Sequence, residues 1–192
     1  METLRTPRLT LRPLQWSDFS WFAALHADPA VARYLGDGKP RDEAATRRWM
    51  EDQLALQRDG LGHNVIVERE TERVVGRAGL SVYEMEVAAG PEGVPRVWWG
   101  PGSAPDGVAS RAELEIGYAV HPAAQGRGIA TEAARAVRDH ALGELRARRA
   151  ISLVYPQNRA SRRVAEKNGM ELDGEVDGWG TRLVVYAIQS GA

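Results

Sequence analysis

The residues best suited to chemistry form a glycine-rich segment between an apolar strand and a helix. This segment, Gln125-Gly-Arg-Gly-Ile-Ala-Thr131, follows the alternating run Glu113–Val120. Its two glycines remove side chains where the backbone enters the helix, so the first helical N–H groups point outward beside the positive helix end. Such a turn is a recurrent site for a phosphate or pyrophosphate, to which Arg127 and Thr131 could add donors.

Two familiar phosphate-binding patterns do not fit the segment. The loop of nucleoside-triphosphate enzymes requires a lysine that is absent here, and the dinucleotide fingerprint requires glycine where Thr131 stands. From the loop alone, a tight strand-to-helix turn without a ligand is an equally good interpretation.

A pair of carboxylates precedes the loop. Glu113 and Glu115 are two residues apart on one strand and therefore share a face. If that face lines a cleft, one of them could remove a proton from a nucleophile; on a solvated face neither would. His121 and His26 are weaker candidates for the same task, because His121 precedes a proline in a turn.

The amino-acid composition excludes several classes of protein. The 192 residues include no cysteine, which excludes disulfides, thiolate metal sites and a cysteine nucleophile, and we expect no metal. The 25 basic and 26 acidic side chains nearly balance, so a partner bound through nucleic-acid phosphates is not expected. The sequence has neither an apolar run of about 20 residues nor a secretory signal, so we expect a cytoplasmic protein without membrane contact.

Hydrophobic periodicity predicts the elements that position these residues. Strands are expected at 8–14, 63–68, 73–83, 113–120, 150–155, 171–176 and 182–188, and helices from a Ser17-Asp18 cap to Asp28 and over 42–58, 129–145 and 160–167. The mixed order has no linker, which favours one domain over residues 1–192. Residues 86–112 form an atypical insert rich in glycine and proline, and its Trp98-Trp99 pair favours a folded-back arm that serves as an interface or a lid.

Three blocks of the sequence resemble one family. Gln-x-x-Gly-x-Ala, after a strand that ends in Glu115-Ile-Gly-Tyr-Ala-Val120, resembles the acetyl-CoA loop of the GNAT superfamily of N-acetyltransferases. The segment from Asn158 to Met170 resembles the second family block at matching spacing, and Thr6–Leu14 resembles the opening strand of the RimJ/RimL-type branch. The resemblance covers nearly the whole chain except the insert. It implies an α/β (α+β) fold with a mixed, mostly antiparallel central sheet flanked by helices.

The resemblance also implies acetyl-CoA as co-substrate and assigns roles by position. Loop N–H groups would hold the pyrophosphate, and the strand backbone would pair with the pantetheine arm. Asn158 would bond to the pantetheine amides, and Ser161 would help protonate the leaving thiolate, because the tyrosine that many members use is missing here. The implied cofactor-binding residues are Tyr118, Ala119, Val120, Gln125, Gly126, Arg127, Gly128, Ile129, Ala130, Thr131, Asn158 and Ser161.

The predicted reaction is direct attack of a primary amine on the thioester in a ternary complex. The candidate catalytic residues are Glu115, Ser161 and Glu113, with Glu115 preferred as base because it is nearer the cofactor strand. The acceptor would be a protein N-terminus or a small amine, and both a monomer and a homodimer fit the sequence. The candidate walls of its groove are Trp16, Trp21, Trp49, Trp98 and Trp99.

Two alternatives from other classes remain open. A CoA-binding module without catalysis would keep the loop and lose the chemistry. A nucleic-acid role would require six arginines to form one patch: Arg146, Arg148, Arg149, Arg159, Arg162 and Arg163. Contacts of these arginines with the 3′-phosphate of CoA are the simpler explanation.

Overall fold

The computed structural model describes residues 2–88 and 93–191, so residues 89–92 of the predicted insert lie outside the described residues. The chain forms two compact units. The first contains the residues up to Leu80 together with Gly117–Val137, and the second contains Ser81–Ile116 together with the residues from Arg138 onward. The elements that run from one unit into the other are β4 (Val74–Glu86), β6 (Ser110–Val120) and α4 (Ile129–Leu142).

The first unit is an antiparallel sheet with helices. Its strands β1 (Leu4–Arg5), β2 (Leu9–Pro13) and β3 (Gly62–Glu68) pair in that order, and β3 pairs with the start of β4. Three helices lie between β2 and β3 in the chain, namely α1 (Phe19–Ala27), α2 (Pro29–Ala32) and α3 (Glu43–Gln57). Burial of apolar side chains holds this unit together; its core includes Leu14, Phe22, Leu25, Val31, Met50, Val65 and Ala119.

The second unit is a mixed sheet with one complete helix, α5 (Arg159–Lys167). Its strands are β5 (Val97–Trp99), β7 (Arg149–Val154), β8 (Glu171–Gly178) and β9 (Thr181–Gln189), with the end of β4 and the start of β6. The β4–β5, β7–β9 and β8–β9 pairs are antiparallel, and β6 pairs with β7 in parallel at Glu115 and Ile151. The predicted fold class, a mixed and mostly antiparallel sheet flanked by helices, is confirmed.

Several element boundaries differ from the predicted ones. The short elements β1 and α2 were not predicted. The fourth helix ends at Leu142 rather than 145, because the N–H groups of Gly143 and Leu145 turn back to the carbonyls of Asp139 and His140. The β4 strand ends three residues later than the hydrophobic pattern predicts, at Glu86, the first residue of the insert. The β6 strand begins three residues earlier than predicted, at Ser110 within the insert.

The Asp18 side chain does not cap the first helix, contrary to the prediction. Its carboxylate accepts hydrogen bonds from both terminal nitrogens of Arg12 (2.8 and 2.6 Å) and from the Gln15 N–H (2.9 Å). The helix instead follows a 3-10 turn over Trp16–Asp18. A guanidinium offers two charge-assisted hydrogen bonds, which exceed the single bond that a cap would give.

The described part of the insert is built into the second unit. The β5 strand pairs with β4 through Tyr83–Trp99 and Met85–Val97. Val97 is buried among apolar side chains that include Val176 and Leu183. The predicted folded-back arm is therefore a strand of the sheet, because Val-Trp-Trp supplies the apolar surface that a solvent-exposed arm would lack.

Candidate functional site

The glycine-rich loop is exposed and adopts a backbone that requires glycine. Residues Gln125–Gly128 are all exposed, and Gly126 and Gly128 have φ angles of 73° and 80°. A Cβ at Gly126 would meet nothing within 4 Å, so this glycine serves the left-handed turn and leaves open space beside it. The Gln125 side chain donates to the Val120 carbonyl (3.0 Å) and ties the loop to the end of β6.

The loop leads directly into the first turn of α4. The first intrahelical bond runs from the Glu132 N–H to the Gly128 carbonyl (3.1 Å). The N–H groups of the preceding helical residues, from Ile129 to Thr131, therefore have no carbonyl one turn back along the helix. Ile129 is buried and anchors the turn. An open glycine loop with outward N–H groups at a positive helix end is suited to a phosphate group.

A carboxylate in this first turn is held by the segment between β1 and β2. Glu132 accepts hydrogen bonds from the Thr6 hydroxyl (2.6 Å), the Arg8 N–H (2.9 Å) and the Arg8 Nε (2.7 Å). Burial alone would raise the pKa of Glu132, but these hydrogen bonds outweigh it and the pKa is lowered. Arg8 also donates to the carbonyl of Arg127 (2.9 Å). Thr6 and Arg8 thus support the loop from 119 or more residues away in sequence, and no local pattern predicts such a contact.

The second family block forms the start of α5 in the second unit. Asn158 is the N-cap of this helix, and its Oδ1 accepts from the Ser161 N–H (3.1 Å). Its Nδ2 donates to the Ser161 hydroxyl (3.0 Å). Because that bond uses a lone pair of the hydroxyl oxygen, it orients the Ser161 hydroxyl at the start of α5.

Tyr186, which no sequence motif indicates, also lies beside α5. The buried Tyr186 of β9 donates its hydroxyl proton to Glu166 (2.9 Å) and accepts from Nε of Arg162 (3.1 Å). The tyrosine that many family members use is missing from the stretch around Ala165, whereas Tyr186 lies on a strand 20 residues beyond Glu166. These contacts depend on how α5 packs against β9, which the sequence does not reveal.

The two strand carboxylates have different surroundings within the second unit. Glu113 is only 4% exposed and accepts from Nε of Arg111 (2.7 Å) and Nε of Arg149 (3.2 Å). Arg149 is further paired with Asp173 (2.6 Å). Glu115 is half-buried and lies at the parallel contact with β7. Two guanidinium groups stabilise the Glu113 anion, so its contacts favour a structural role.

Other predicted residues are engaged in local contacts. His121 accepts the Ala123 N–H at Nδ1 (3.2 Å) in the 3-10 turn before the loop. Arg127 pairs with Glu68 at the protein surface. Arg149 and Arg162 are held by Glu113 and by Tyr186 respectively, which removes two members from the six-arginine patch.

The described residues form neither a metal-binding cluster nor a membrane-spanning helix. Residues 2–88 and 93–191 contain no group of three or more histidine, aspartate or glutamate side chains that could hold a metal ion. In the same part of the chain, no helix is both long enough and apolar enough to cross a membrane.

Comparison with known proteins agrees with this geometry. Residues 8–171 match the family described as Acetyltransferase (GNAT) domain. An uncharacterized N-acetyltransferase of Bacillus subtilis, YnaD, is 38% identical over 175 residues, which cover 89% of this chain and 84% of that protein. The crystal structure of an acetyltransferase from Agrobacterium tumefaciens superposes with a TM-score of 0.75 at 32% identity, covering 98% of this chain and 95% of that one.

A third comparison concerns the fold alone. RimL, a ribosomal alpha-N-protein acetyltransferase solved in complex with coenzyme A, superposes with a TM-score of 0.71 at 19% identity, over 98% of both chains. The fold and the family match define the class, and this protein belongs to the GNAT acetyltransferases. It is an acyltransferase enzyme, and its likeness to RimL shows the fold alone.

Proposed function

We propose that this enzyme transfers an acetyl group from acetyl-CoA to a primary amine by direct attack in a ternary complex. The observation that carries the proposal is the exposed loop Gln125–Gly128, whose glycine geometry opens onto the first turn of α4, in a chain matched to the GNAT family over residues 8–171. The acceptor is proposed to be a protein N-terminus or a small amine.

The proposed cofactor contacts follow the residues that the family resemblance implies. Backbone N–H groups from Gln125 to Ala130 would hold the pyrophosphate, because the first helical turn offers donors and a favourable dipole. The backbone of Tyr118, Ala119 and Val120 would pair with the pantetheine arm. Asn158 already uses one lone pair and one N–H within the helix cap, and its amide retains a further N–H for the pantetheine.

Acetyl-CoA supplies the thioester whose carbonyl carbon the amine attacks. A protonated amine is not nucleophilic, so a base must remove a proton before or during attack. We assign this role to Glu115, directly or through water, because Glu113 is already held by Arg111 and Arg149. The N–H of Val120 would stabilise the developing oxyanion.

Collapse of the intermediate breaks the carbon–sulfur bond and leaves a thiolate. A free thiol titrates near a pH of about 8.5, so the leaving group requires only modest help. Ser161 is proposed to give it a proton, because its oxygen is oriented by the Asn158 amide (3.0 Å). The hydroxyl would regain its proton from water after the thiol leaves.

An acceptor screen that monitors thiol release tests the proposal. The assay has no protein background, because the sequence contains no cysteine. We expect thiol release with at least one class of primary amine and none without amine. Tight binding of acetyl-CoA with no release across proteins, peptides and small amines would instead favour the non-catalytic CoA-binding module.

Variants of the two carboxylates test the assignment of the base. We expect Glu115→Gln to lower kcat at least about tenfold, with the folded state retained. Glu113→Gln serves as the matched control, and its main effect is expected on stability rather than on kcat. Unchanged turnover of Glu115→Gln at every pH would refute the assignment.

A further inference from the structure

A buried group of basic and aromatic side chains lies in the first unit, apart from the glycine loop. It consists of His26 on α1, Arg41 before α3, Trp49 on α3, His63 on β3 and Arg77 on β4, and we call it the basic cluster. His26, His63 and Arg77 are 1%, 4% and 5% exposed. Charged and imidazole groups are costly to bury, so this grouping calls for a physical explanation.

The members of the basic cluster contact one another around the Trp49 ring. The Arg77 guanidinium carbon lies 4.7 Å from the Trp49 ring centroid, and the His26 ring meets Trp49 edge-on at 4.6 Å. Arg77 Nη1 lies 2.8 Å from Nδ1 of His63. Because a guanidinium has only donors, Nδ1 of His63 accepts this bond and the imidazole proton lies on Nε2.

The electrostatic field at both imidazoles is positive. Burial, together with the charges of Arg77 and Arg41, lowers the pKa of His26 to about 2. Burial also lowers the pKa of His63 well below its usual value, and Arg77, His26 and Arg41 act in the same direction. Both histidines are therefore neutral near pH 7, and the positive charge of the cluster resides on the two arginines.

Nε2 of His26 is a hydrogen-bonding atom of the cluster for which the described residues supply no acceptor. Nδ1 of His26 lies 3.4 Å from the Thr46 hydroxyl, which can donate to it. In that tautomer Nε2 carries the proton, and Nε2 is buried with no hydrogen-bond partner among the described residues. A buried donor without an acceptor is uncommon and costs free energy, so it points to a group that the folded chain does not itself supply.

The cluster adjoins the strand proposed to bind the pantetheine arm. Gly76 precedes Arg77 on β4, and a Cβ at Gly76 would lie 2.4 Å from the Ala119 carbonyl oxygen. Arg77 is therefore one residue from the point where β4 closely approaches β6. Arg41 is half-buried and belongs to the segment between α2 and α3, so it is more exposed than His26, His63 and Arg77.

We propose that the basic cluster binds a carboxylate of the acceptor, so that the preferred substrates are amines that also carry a carboxylate. Arg77 and Arg41 would supply charge-assisted hydrogen bonds, and Nε2 of His26 would donate to the same group. Trp49 would pack against the carbon atoms between the amine and the carboxylate. The identification of the cluster as an acceptor site rests on the proposed function, whereas the binding of a carboxylate is measured separately from turnover.

Binding is tested on the intact protein with small probes that contain no amine. Propionate and propionamide have the same size and differ in charge, and inorganic phosphate provides a second anion. We expect propionate, and not propionamide, to shift the NMR signals of the His26, His63 and Trp49 side chains in the labelled wild-type protein. Unchanged signals, equal effects of propionate and propionamide, or tighter binding of phosphate than of propionate would each overturn the carboxylate assignment.

Arginine variants locate the binding. We expect Arg77→Gln and Arg41→Gln each to weaken propionate binding about tenfold or more, which is the effect of losing a hydrogen bond to a charged group. Arg48→Gln is the matched control, since Arg48 is exposed on α3 beside Trp49, and should bind propionate within about twofold of wild type. Wild-type binding in both cluster variants would overturn the proposal. If Arg77→Gln does not fold, Arg41→Gln and the wild-type signals decide the question.

Turnover separates this inference from the proposed function. With acetyl-CoA, amines that carry a carboxylate should give a KM at least about tenfold below that of their amides in the wild type. That ratio should fall toward one in Arg41→Gln. Carboxylate binding without any thiol release would refute the proposed function, whereas thiol release with no preference for carboxylates would refute the inference.

Discussion

Replacing Gly76 by alanine tests a close approach of two backbones in the first unit, between β4 and β6. An ideal Cβ at this position would lie 2.4 Å from the Ala119 carbonyl oxygen and 3.1 Å from the Val120 Cα. Real Cβ contacts essentially never fall under 3.0 Å. The strands β4 and β6 must therefore separate here by at least 0.6 Å, the difference between 3.0 and 2.4 Å. Both neighbours are backbone atoms, which cannot rotate away as a side chain could.

The cost of this separation follows from the packing of the unit. Overpacking a close-packed interior costs about 1 to 3 kcal/mol, and alanine recovers only about 0.5 kcal/mol through its lower backbone entropy. We therefore expect Gly76→Ala to lower the free energy of unfolding by about 2 kcal/mol. Urea titration followed by tryptophan fluorescence measures this change.

The same variant probes the proposed pantetheine strand, because the clash displaces the backbone of Ala119 and Val120. Misplacement of a binding backbone by a large fraction of an ångström weakens catalysis strongly, so we expect KM for acetyl-CoA to rise about tenfold. Gly79→Ala is the matched control, since its Cβ would lie 2.2 Å from the Gly62 carbonyl oxygen and 2.4 Å from the His63 Cα, on the β3 side. It should lose comparable stability and keep its KM for acetyl-CoA.

Two results would refute this reasoning. A free energy of unfolding for Gly76→Ala within about 0.5 kcal/mol of wild type would show that the close approach is not enforced by packing. Equal increases of KM in both glycine variants would show that the effect is general destabilisation. In that case the assignment of the pantetheine strand would be wrong.

Three further predictions concern stability. Glu113→Gln should lower the free energy of unfolding by about 2 kcal/mol in urea, because Arg149 loses a buried partner; a change under about 0.5 kcal/mol would contradict this. Since unfolded His26 protonates near its usual pKa of 6.5 while the folded-state pKa is about 2, acidification below pH 6.5 should reduce stability by up to about 1.4 kcal/mol per pH unit. His26→Phe should show a shallower dependence between pH 7 and 5, and an identical slope would count against the neutral buried imidazole. Val97→Ala should cost about 1 to 3 kcal/mol by leaving a cavity beside Leu183, whereas a fully stable variant would mean that β5 is not part of the core.

The loop and its helix could be predicted locally because their signal is confined to a few consecutive residues. The glycines at 126 and 128 and the apolar spacing of α4 specify a turn and a helix start, and the φ angles of 73° and 80° agree. The insert could be predicted only in outline, since the pairing of Val97 with Met85 depends on which apolar surface the second unit leaves uncovered.

By itself, the sequence determined the position of the glycine loop through local spacing, and it indicated the family and the fold class through the resemblance of three blocks to the GNAT superfamily. Only the tertiary structure decided that Arg8 holds Glu132 beside the loop, that two arginines engage Glu113, and that Tyr186 reaches α5. Likewise, only the tertiary structure brings His26, His63 and Arg77 together around Trp49. Charge and hydrogen bonding act over a few ångströms in space, and the separation of two residues along the chain does not reveal that distance.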